Sequence, residues 1–369
     1  TVSWLPLFHD MGLILGLMHP LFLGGTGYLM TPIAFLQKPV RWLAAISRYS
    51  AELSGGPNFA YDLCVGQVSA ADRAALDLGA WRTAFNGAEA VRADTLERFA
   101  DAFGPCGFDP ATMHPCYGLA EATLMATGGR RGRPPRLLSV DGAAMAATGR
   151  AEPIAADAAG SRQMVGCGDP PGPAHLAIVD PDTGIRCAPG QIGEVWLAGP
   201  HVAAGYWNNA EATMATFAAR LTDGDGPYLR TGDLGFVDAD GELYLTSRMK
   251  DVIIIRGRNY SPSDIEQVVE RAHPGLRENG VAAFTIPGNS GDVLAVAAEV
   301  GKDAAGEFDA AQALRQLRAA VAGEFDLRVD KAVFVRRGKL PRTTSGIIQR
   351  PACRREFIDG TLSPFQRRG

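Results

Sequence analysis

No two of the six cysteines (Cys64, Cys106, Cys116, Cys167, Cys187, Cys353) stand at CxxC spacing, and the six histidines are equally scattered. Neither a zinc site nor a disulfide framework is therefore indicated, and reduced thiols in a cytoplasmic protein are expected. A GxxxxGKS/T phosphate loop is missing, and so is the GxSxG elbow of serine hydrolases. Gly166-Cys167-Gly168 carries Pro171 where a dinucleotide fingerprint needs its third glycine. Charge of one sign is also missing. With 36 basic and 40 acidic residues the net charge is −4, which argues against a nucleic-acid partner and against an acidic disordered chain. Acidic and basic residues are absent from Met11 to Gln37, enough for the roughly 20 apolar residues of a membrane helix. His19-Pro20, Gly24-Gly25, Gly27 and Thr31-Pro32 break that run, so no membrane span is expected. The stretch reads as a buried helix over 11–18, a turn, and a short buried strand around Tyr28–Met30.

At 369 residues, 46% of them hydrophobic, the chain exceeds the roughly 250–300 residues of a single core, so two domains are expected. The chain starts at Thr1 and reaches Trp4-Leu5-Pro6 within a few residues, without a signal-like basic start, so it is expected to begin inside a longer protein whose upstream part could carry a targeting signal. The first 130 residues alternate short apolar runs with Gly/Pro turns, an α/β pattern. Val40, Leu43, Ala44 and Ile46 share a helical face within 40–49, and Leu96, Phe99 and Phe103 share one within 94–103. Residues 129–175, rich in Arg, Pro, Ala and Gly, read as a surface loop or insertion.

From 176 the texture turns to β: strands at 176–179 and 193–197, then 235–246 with Asp240-Gly241 at a hairpin turn. Val252–Ile255 suits a strand buried on both faces. A helix follows, with Ser261 able to cap it, Pro262 in its first turn, and Ile265, Val268, Val269 and Ala272 on one face before Pro274-Gly275. Strands at 281–286, 293–300 and 332–336 and a helix at 310–323 complete a small α+β unit. The expected architecture is a large α/β N-terminal domain over 1–247, incomplete and with a β-rich end, a hinge at 248–250, and a small α+β domain over 251–369. No internal repeat is evident.

Several polar clusters have chemical potential. Tyr117-Gly118-Leu119-Ala120-Glu121 offers a flat ring, a glycine that admits close approach, and a carboxylate. A nucleotide uses such a set for its base, its phosphates and Mg²⁺. Asn86-Gly87-Ala88-Glu89 is a second Gly-centred polar turn, with amides or a side-chain amide to offer a base edge. Asp233, in Thr231-Gly232-Asp233, has the two acceptors a ribose diol needs, and Arg248 and Lys250 supply cations at the expected junction. His9-Asp10 stands ahead of the apolar run as a polar pair at a pocket rim. Singly, each fits an ordinary turn, a solvated linker charge or a structural histidine as well as a site.

In this order the segments resemble the adenylate-forming enzyme superfamily, and within it the fatty acyl-AMP ligases. The resemblance is carried by WLPLFHDMGL at 4–13, SGGPNFAY at 54–61, NGAE at 86–89, CYGLAEAT at 116–123, LRTGDLG at 229–235, and RMKD at 248–251 running into IRGRN at 255–259. It implies ATP and Mg²⁺ as cofactors, a fatty acid as substrate, and an acyl carrier protein of a polyketide or peptide synthetase as acceptor. It also implies that Asn86, Gly87, Ala88, Glu89, Tyr117, Gly118, Leu119 and Ala120 hold adenine and the α-phosphate region. Glu121 would bind the metal, Asp233 and Arg248 the ribose, and Lys250 would be the hinge. His9, Gly55, Gly56 and Asn58 would border the acyl pocket. The span after Arg136 lies where these ligases carry an insertion that disfavours coenzyme A.

Two departures accompany the resemblance. The family's Ser/Thr/Gly-rich phosphate loop belongs upstream of Thr1. In LPRTTSGIIQR at 340–350, Ile347 stands where the family has the lysine that neutralises the reacting carboxylate and α-phosphate. Lys339 and Arg350 are the neighbouring cations. An acyl-CoA synthetase, or a degenerate homologue binding nucleotide, acyl chain or carrier without turnover, remain as alternatives. Residues 331–369 hold ten Lys or Arg against two acidic residues, a net +8 that could steer an acidic carrier protein or simply be a solvated face.

Overall fold

Thr83–Asn86 is buried at every position, as expected of a central strand covered on both faces, and the fold of the N-terminal region is built around it. The computed structural model describes residues 1–288, 291–302, 304, 306–343 and 346–366. Thr344, Ser345, Arg367 and Arg368, used in the sequence reading, lie outside the described residues. The chain divides into two compact units: Thr1–Val140 with Ala151–Thr246, and Asp141–Arg150 with Ser247–Gly369.

In the first unit, β1 (Val2–Ser3) pairs in parallel with β2 (Tyr28–Leu29). β3 (Leu53–Gly55), β4 (Thr83–Asn86) and β5 (Met113–Gly118) form a parallel sheet, which β6 (Met125–Gly128) extends antiparallel. Helices Asn58–Gln67 and Ala93–Phe103 connect these strands. Leu96, Phe99 and Phe103 are buried as their spacing predicts, each contributing about 1.5–3 kcal/mol. Beneath the sheet Trp42, Trp81, Tyr61 and Phe99 pack edge to face, and Ser54 joins the Trp42 indole at 2.8 Å to the Val2 carbonyl at 2.6 Å. β7 (Leu137–Asp141) pairs with β8 (Ser161–Val165). A second sheet takes β9 (His175–Val179), β10 (Gly193–Ala198), β11 (Leu229–Val237) and β12 (Leu243–Arg248), in the order β12-β11-β10-β9.

In the second unit β13 (Ile253–Ile255) and β14 (Arg258–Tyr260) form a hairpin. β15 (Leu276–Gly288) pairs antiparallel with β16 (Gly291–Val300), which pairs in parallel with β17 (Val329–Arg336). Helices Pro262–Ala272 and Ala310–Phe325 bury Ile265, Val269, Leu317 and Val321 in one core. The protein is thus mixed α/β.

Five expectations need correction. The 129–175 span is not simply loop: it contains β7, β8 and a helix, Gly142–Thr148, whose first turn Asp141 caps by accepting from the Ala144 amide at 2.9 Å. Its Ala/Gly composition hides the periodicity, although Val140 and Met145 are buried. Gly12–Met18 is a π-helix packed through its glycines, where a Cβ on Gly12 would lie 2.1 Å from the Pro6 oxygen. Packing through that face leaves Leu13 and Met18 exposed, and Leu29 of β2 is exposed too. Among the helix residues of 40–49, Trp42 is buried and Ala44 is not. Ile254 is 57% exposed, because β13 has one hairpin partner rather than sheet neighbours on both sides. Ser261 makes no capping bond; its hydroxyl meets that of Ser263 at 3.1 Å. Among the described residues no helix is long and apolar enough to cross a membrane.

Candidate functional site

The strand-to-turn exit of β5 is held tightly. Gly118 lies where a Cβ would come within 1.7 Å of the Leu124 oxygen, so only glycine allows the chain to fold back there. The 3₁₀ turn Ala120–Ala122 follows, and Thr123 adopts φ 65°, ψ −60°, a conformation rare for a β-branched residue. Its hydroxyl donates to the His201 carbonyl at 2.7 Å. This turn presents Glu121. The Ala203 amide donates to the Glu121 carbonyl at 2.8 Å, and the Tyr206 hydroxyl donates to its Oε1 at 2.8 Å. Desolvation first, and then the bond to Glu121, raises the Tyr206 pKa. Tyr206 was not legible in the sequence: it sits in an Ala/Gly-rich loop 85 residues from its partner.

Tyr117, nearly buried at the end of β5, donates from its hydroxyl to Asp233 Oδ2 at 2.8 Å across 116 residues. The first unit therefore joins the Tyr117–Glu121 and Thr231–Asp233 segments.

The 86–89 turn looks inward. Asn86 is fully buried and gives its Nδ2 to Asn58 Oδ1 at 3.1 Å, while its own Oδ1 is buried without a partner among the described residues. Glu89 Oε1 accepts from the Asn58 amide at 2.9 Å, tying down the start of helix Asn58–Gln67, and the Asn58 side chain reaches the Ala90 carbonyl at 2.8 Å. The Asn86 Nδ2 group is thus engaged by Asn58, which leaves the backbone amides of the turn as the groups it could offer a base edge. A Cβ on Gly87 would lie 2.7 Å from the Cys116 oxygen, and Ala88, at φ 69°, is the exposed tip. Burial pushes the Cys116 thiol up to about 12.

Of the residues assigned to the acyl pocket, Asn58 thus belongs to the same cluster as Asn86 and Glu89. Gly55 and Gly56 admit close packing, their Cβ positions falling 2.1 Å from the Phe85 oxygen and 2.6 Å from the Trp4 ring. His9 Nδ1 lies 2.6 Å from Asp10 Oδ1. That bond, against desolvation, raises the His9 pKa; burial opposes ionisation of Asp10, but the His9 hydrogen bond and charge hold its pKa below the usual value.

In the second unit Arg248 ends β12 and Lys250 lies in the 3₁₀ turn Met249–Asp251; both are exposed. Ile347 belongs to a turn in which its amide donates to Thr343 Oγ1 at 3.0 Å and its carbonyl accepts from the Thr343 amide at 2.7 Å. The two neighbouring cations differ in their surroundings. Arg350 is engaged with both Glu266 oxygens at 2.7 Å, and Lys339 is on the surface. The basic tail is not a uniform face either, because Arg342 turns onto buried Glu299 and Arg354 donates to the Thr285 carbonyl at 2.7 Å.

A metal cage is not formed by histidine, cysteine and carboxylate groups among the described residues. The Glu121 carboxylate has the chemistry that Mg²⁺ carried by a nucleotide uses, since such an ion takes one or two carboxylates and completes its shell with phosphate oxygens and water.

The model of the AMP-binding enzyme family matches residues 1–207, more than half of the chain. The protein belongs to the AMP-binding enzyme family. A second model, the AMP domain of Disco-interacting protein 2-like proteins, matches residues 250–367. Among curated relatives, the chain is 45% identical to the medium-chain-fatty-acid–[acyl-carrier-protein] ligase JamA of Moorena producens, covering all of this chain and 62% of that protein. It is 41% identical to the corresponding ligase TtuA of Teredinibacter turnerae, over 99% of this chain and 58% of that one. This AMP-binding enzyme chain therefore spans about three fifths of the length of these relatives. Among solved structures it is similar to one from a study of fatty acyl-adenylate ligases of E. coli and L. pneumophila, with a TM-score of 0.86 and 30% identity over 98% of this chain and 62% of that one. A second, an L. pneumophila ligase in complex with acyl adenylate and pyrophosphate, gives a TM-score of 0.68 and 38% identity over 98% of this chain and 62% of that one.

Proposed function

We propose that this chain is the greater part of a fatty acyl-AMP ligase that activates a fatty acid with ATP and passes it to an acyl carrier protein, in the cytoplasm, on a polyketide or peptide synthetase. The observation that carries the reading is the 2.8 Å Tyr117–Asp233 hydrogen bond, which brings a ring and a diol acceptor together. The names of JamA and TtuA support the fatty acid and carrier protein as substrates. In the proposed reaction a carboxylate oxygen attacks the α-phosphorus of ATP, the bond to the β-phosphate oxygen breaks, and pyrophosphate leaves. A carrier thiol then attacks the acyl carbon, giving the thioester and AMP. Asp233 and Arg248 would hold the ribose, and Asn86–Glu89 and Tyr117–Ala120 the base and α-phosphate region. Bound Mg²⁺ would spread phosphate charge, with Glu121 as its protein ligand. Residues 1–247 and 251–369 would act as two domains about the 248–250 hinge, with Lys250 as pivot, and His9, Gly55, Gly56 and Asn58 would border the acyl chain.

A second reading is favoured by Ile347: a homologue that binds nucleotide but adenylates slowly. Removing one comparable electrostatic contact costs about 2.7–4 kcal/mol, roughly 10²–10³ in rate. ATP–pyrophosphate exchange with dodecanoate decides between the two. A full rate for the unmodified chain supports the ligase and refutes the charge requirement. Exchange only after Ile347→Lys supports the slow homologue. Exchange in neither, with nucleotide bound, supports a binding protein without turnover, and coenzyme A serving as efficient acceptor overturns the carrier-protein assignment.

A further inference from the structure

Glu194 is a charged residue, 2% exposed, inside a sheet, and most of its bonds go to the segment of the neighbouring strand that leaves the regular register. β10 and β11 pair at Glu194–Leu234 and again at Trp196–Arg230, so one residue of β10 faces three of β11. The excess is Thr231-Gly232-Asp233, a bulge with Gly232 at φ 72°. Glu194 Oε1 accepts from the Gly232 amide at 3.1 Å; Oε2 accepts from Arg230 Nε at 2.9 Å and from the Trp196 indole at 2.8 Å. Thr231 Oγ1 completes the clasp, donating to the Val195 carbonyl at 2.6 Å and accepting from the Asp233 amide at 3.1 Å. A regular strand needs none of these bonds, and burying a carboxylate is unfavourable without them. What the clasp fixes is the direction of Asp233, whose Oδ2 takes the Tyr117 hydroxyl.

We infer that Glu194, seconded by Thr231, is the positioning residue that aims Asp233 at the ribose hydroxyls and so sets the preference for ribonucleotides. The inference rests on the nucleotide reading above. The test is binding of ATP and of 2′,3′-dideoxy-ATP to the whole chain and to Glu194→Gln, Thr231→Ala and Thr231→Ser. The unmodified chain and Thr231→Ser are expected to prefer ATP by about tenfold or more, the worth of one charged hydrogen bond. In Glu194→Gln and Thr231→Ala that ratio should collapse towards one, while dideoxy-ATP affinity moves by less than about threefold. A purely structural role would weaken both nucleotides together and keep the ratio. A ratio kept in Thr231→Ala and in Glu194→Gln overturns the inference alone, and Thr231→Ala decides if Glu194→Gln does not fold. Absence of nucleotide binding by the unmodified chain overturns the nucleotide reading and this inference with it.

Discussion

Replacing Glu299 by alanine should destabilise the second unit more than other single polar substitutions there. Glu299 is fully buried in β16. Its Oε1 accepts the amides of Gly338 at 2.9 Å and Leu340 at 3.1 Å, and its Oε2 meets the guanidinium groups of Arg277 and, at 3.3 Å, Arg342. Arg342 is itself half-buried, and desolvation lowers its pKa despite the neighbouring carboxylate. Glu299→Ala leaves two cations without their counter-charge and two amides without an acceptor. Breaking such a buried pair costs about 3–5 kcal/mol. Glu299→Gln keeps one acceptor oxygen and should cost about half as much. The loss reaches the Ile347 turn, since Arg342 also donates to the Gly346 carbonyl at 2.9 Å. Calorimetry should show a fall of about 10 °C or more in the transition of this unit, taking a few degrees per kcal/mol. Hydrogen exchange at the Gly338 and Leu340 amides should accelerate. A loss below about 1 kcal/mol with unchanged exchange at both amides would refute the reasoning.

Three further outcomes are expected. Ile347→Lys should raise ATP–pyrophosphate exchange about 10²–10³-fold, and no gain would show that this turn does not meet the reacting groups. Tyr206→Phe should weaken Mn²⁺–ATP binding, followed by electron paramagnetic resonance, severalfold while changing stability by less than about 1 kcal/mol; unchanged metal–nucleotide binding would remove Tyr206 as the support of Glu121. The His9–Asp10 pair gives a pH signature. The raised His9 pKa makes its contribution complete below the ordinary 6.5 and lost as pH rises through the raised value, whereas the lowered Asp10 pKa makes its contribution complete above 3.8 and lost as pH falls through the lowered value. His9→Ala should therefore destabilise by up to about 1 kcal/mol at a pH of about 5.5 and by less at about 8.5, and an equal effect at both would contradict the ion pair.

The parts of the fold that local pattern determines were readable in advance. Helices Val40–Tyr49 and Ala93–Phe103 announce themselves by periodic apolar residues, and the β11–β12 hairpin by Asp240-Gly241. Features set by distant partners were not. The outward face of Ile254 depends on how many strands flank β13, and the inward turn of Asn86 depends on Asn58. Glu194 reads as one polar position in a strand expected over 193–197, and its role emerges only when Arg230 and Gly232 close on it. Among the site residues, motif order pointed to Tyr117 and Asp233, whereas nothing in their spacing predicts the bond between them.

The central claim is that a nucleotide binds where Tyr117 meets Asp233, and its most direct measurement is a calorimetric titration of ATP with Mg²⁺ into the chain and into Asp233→Ala. Saturable binding that weakens by about 10- to 150-fold in the variant is predicted, the equivalent of one charged hydrogen bond of about 1.5–3 kcal/mol. Equal affinity in both proteins, or no binding to the unmodified chain, would contradict it.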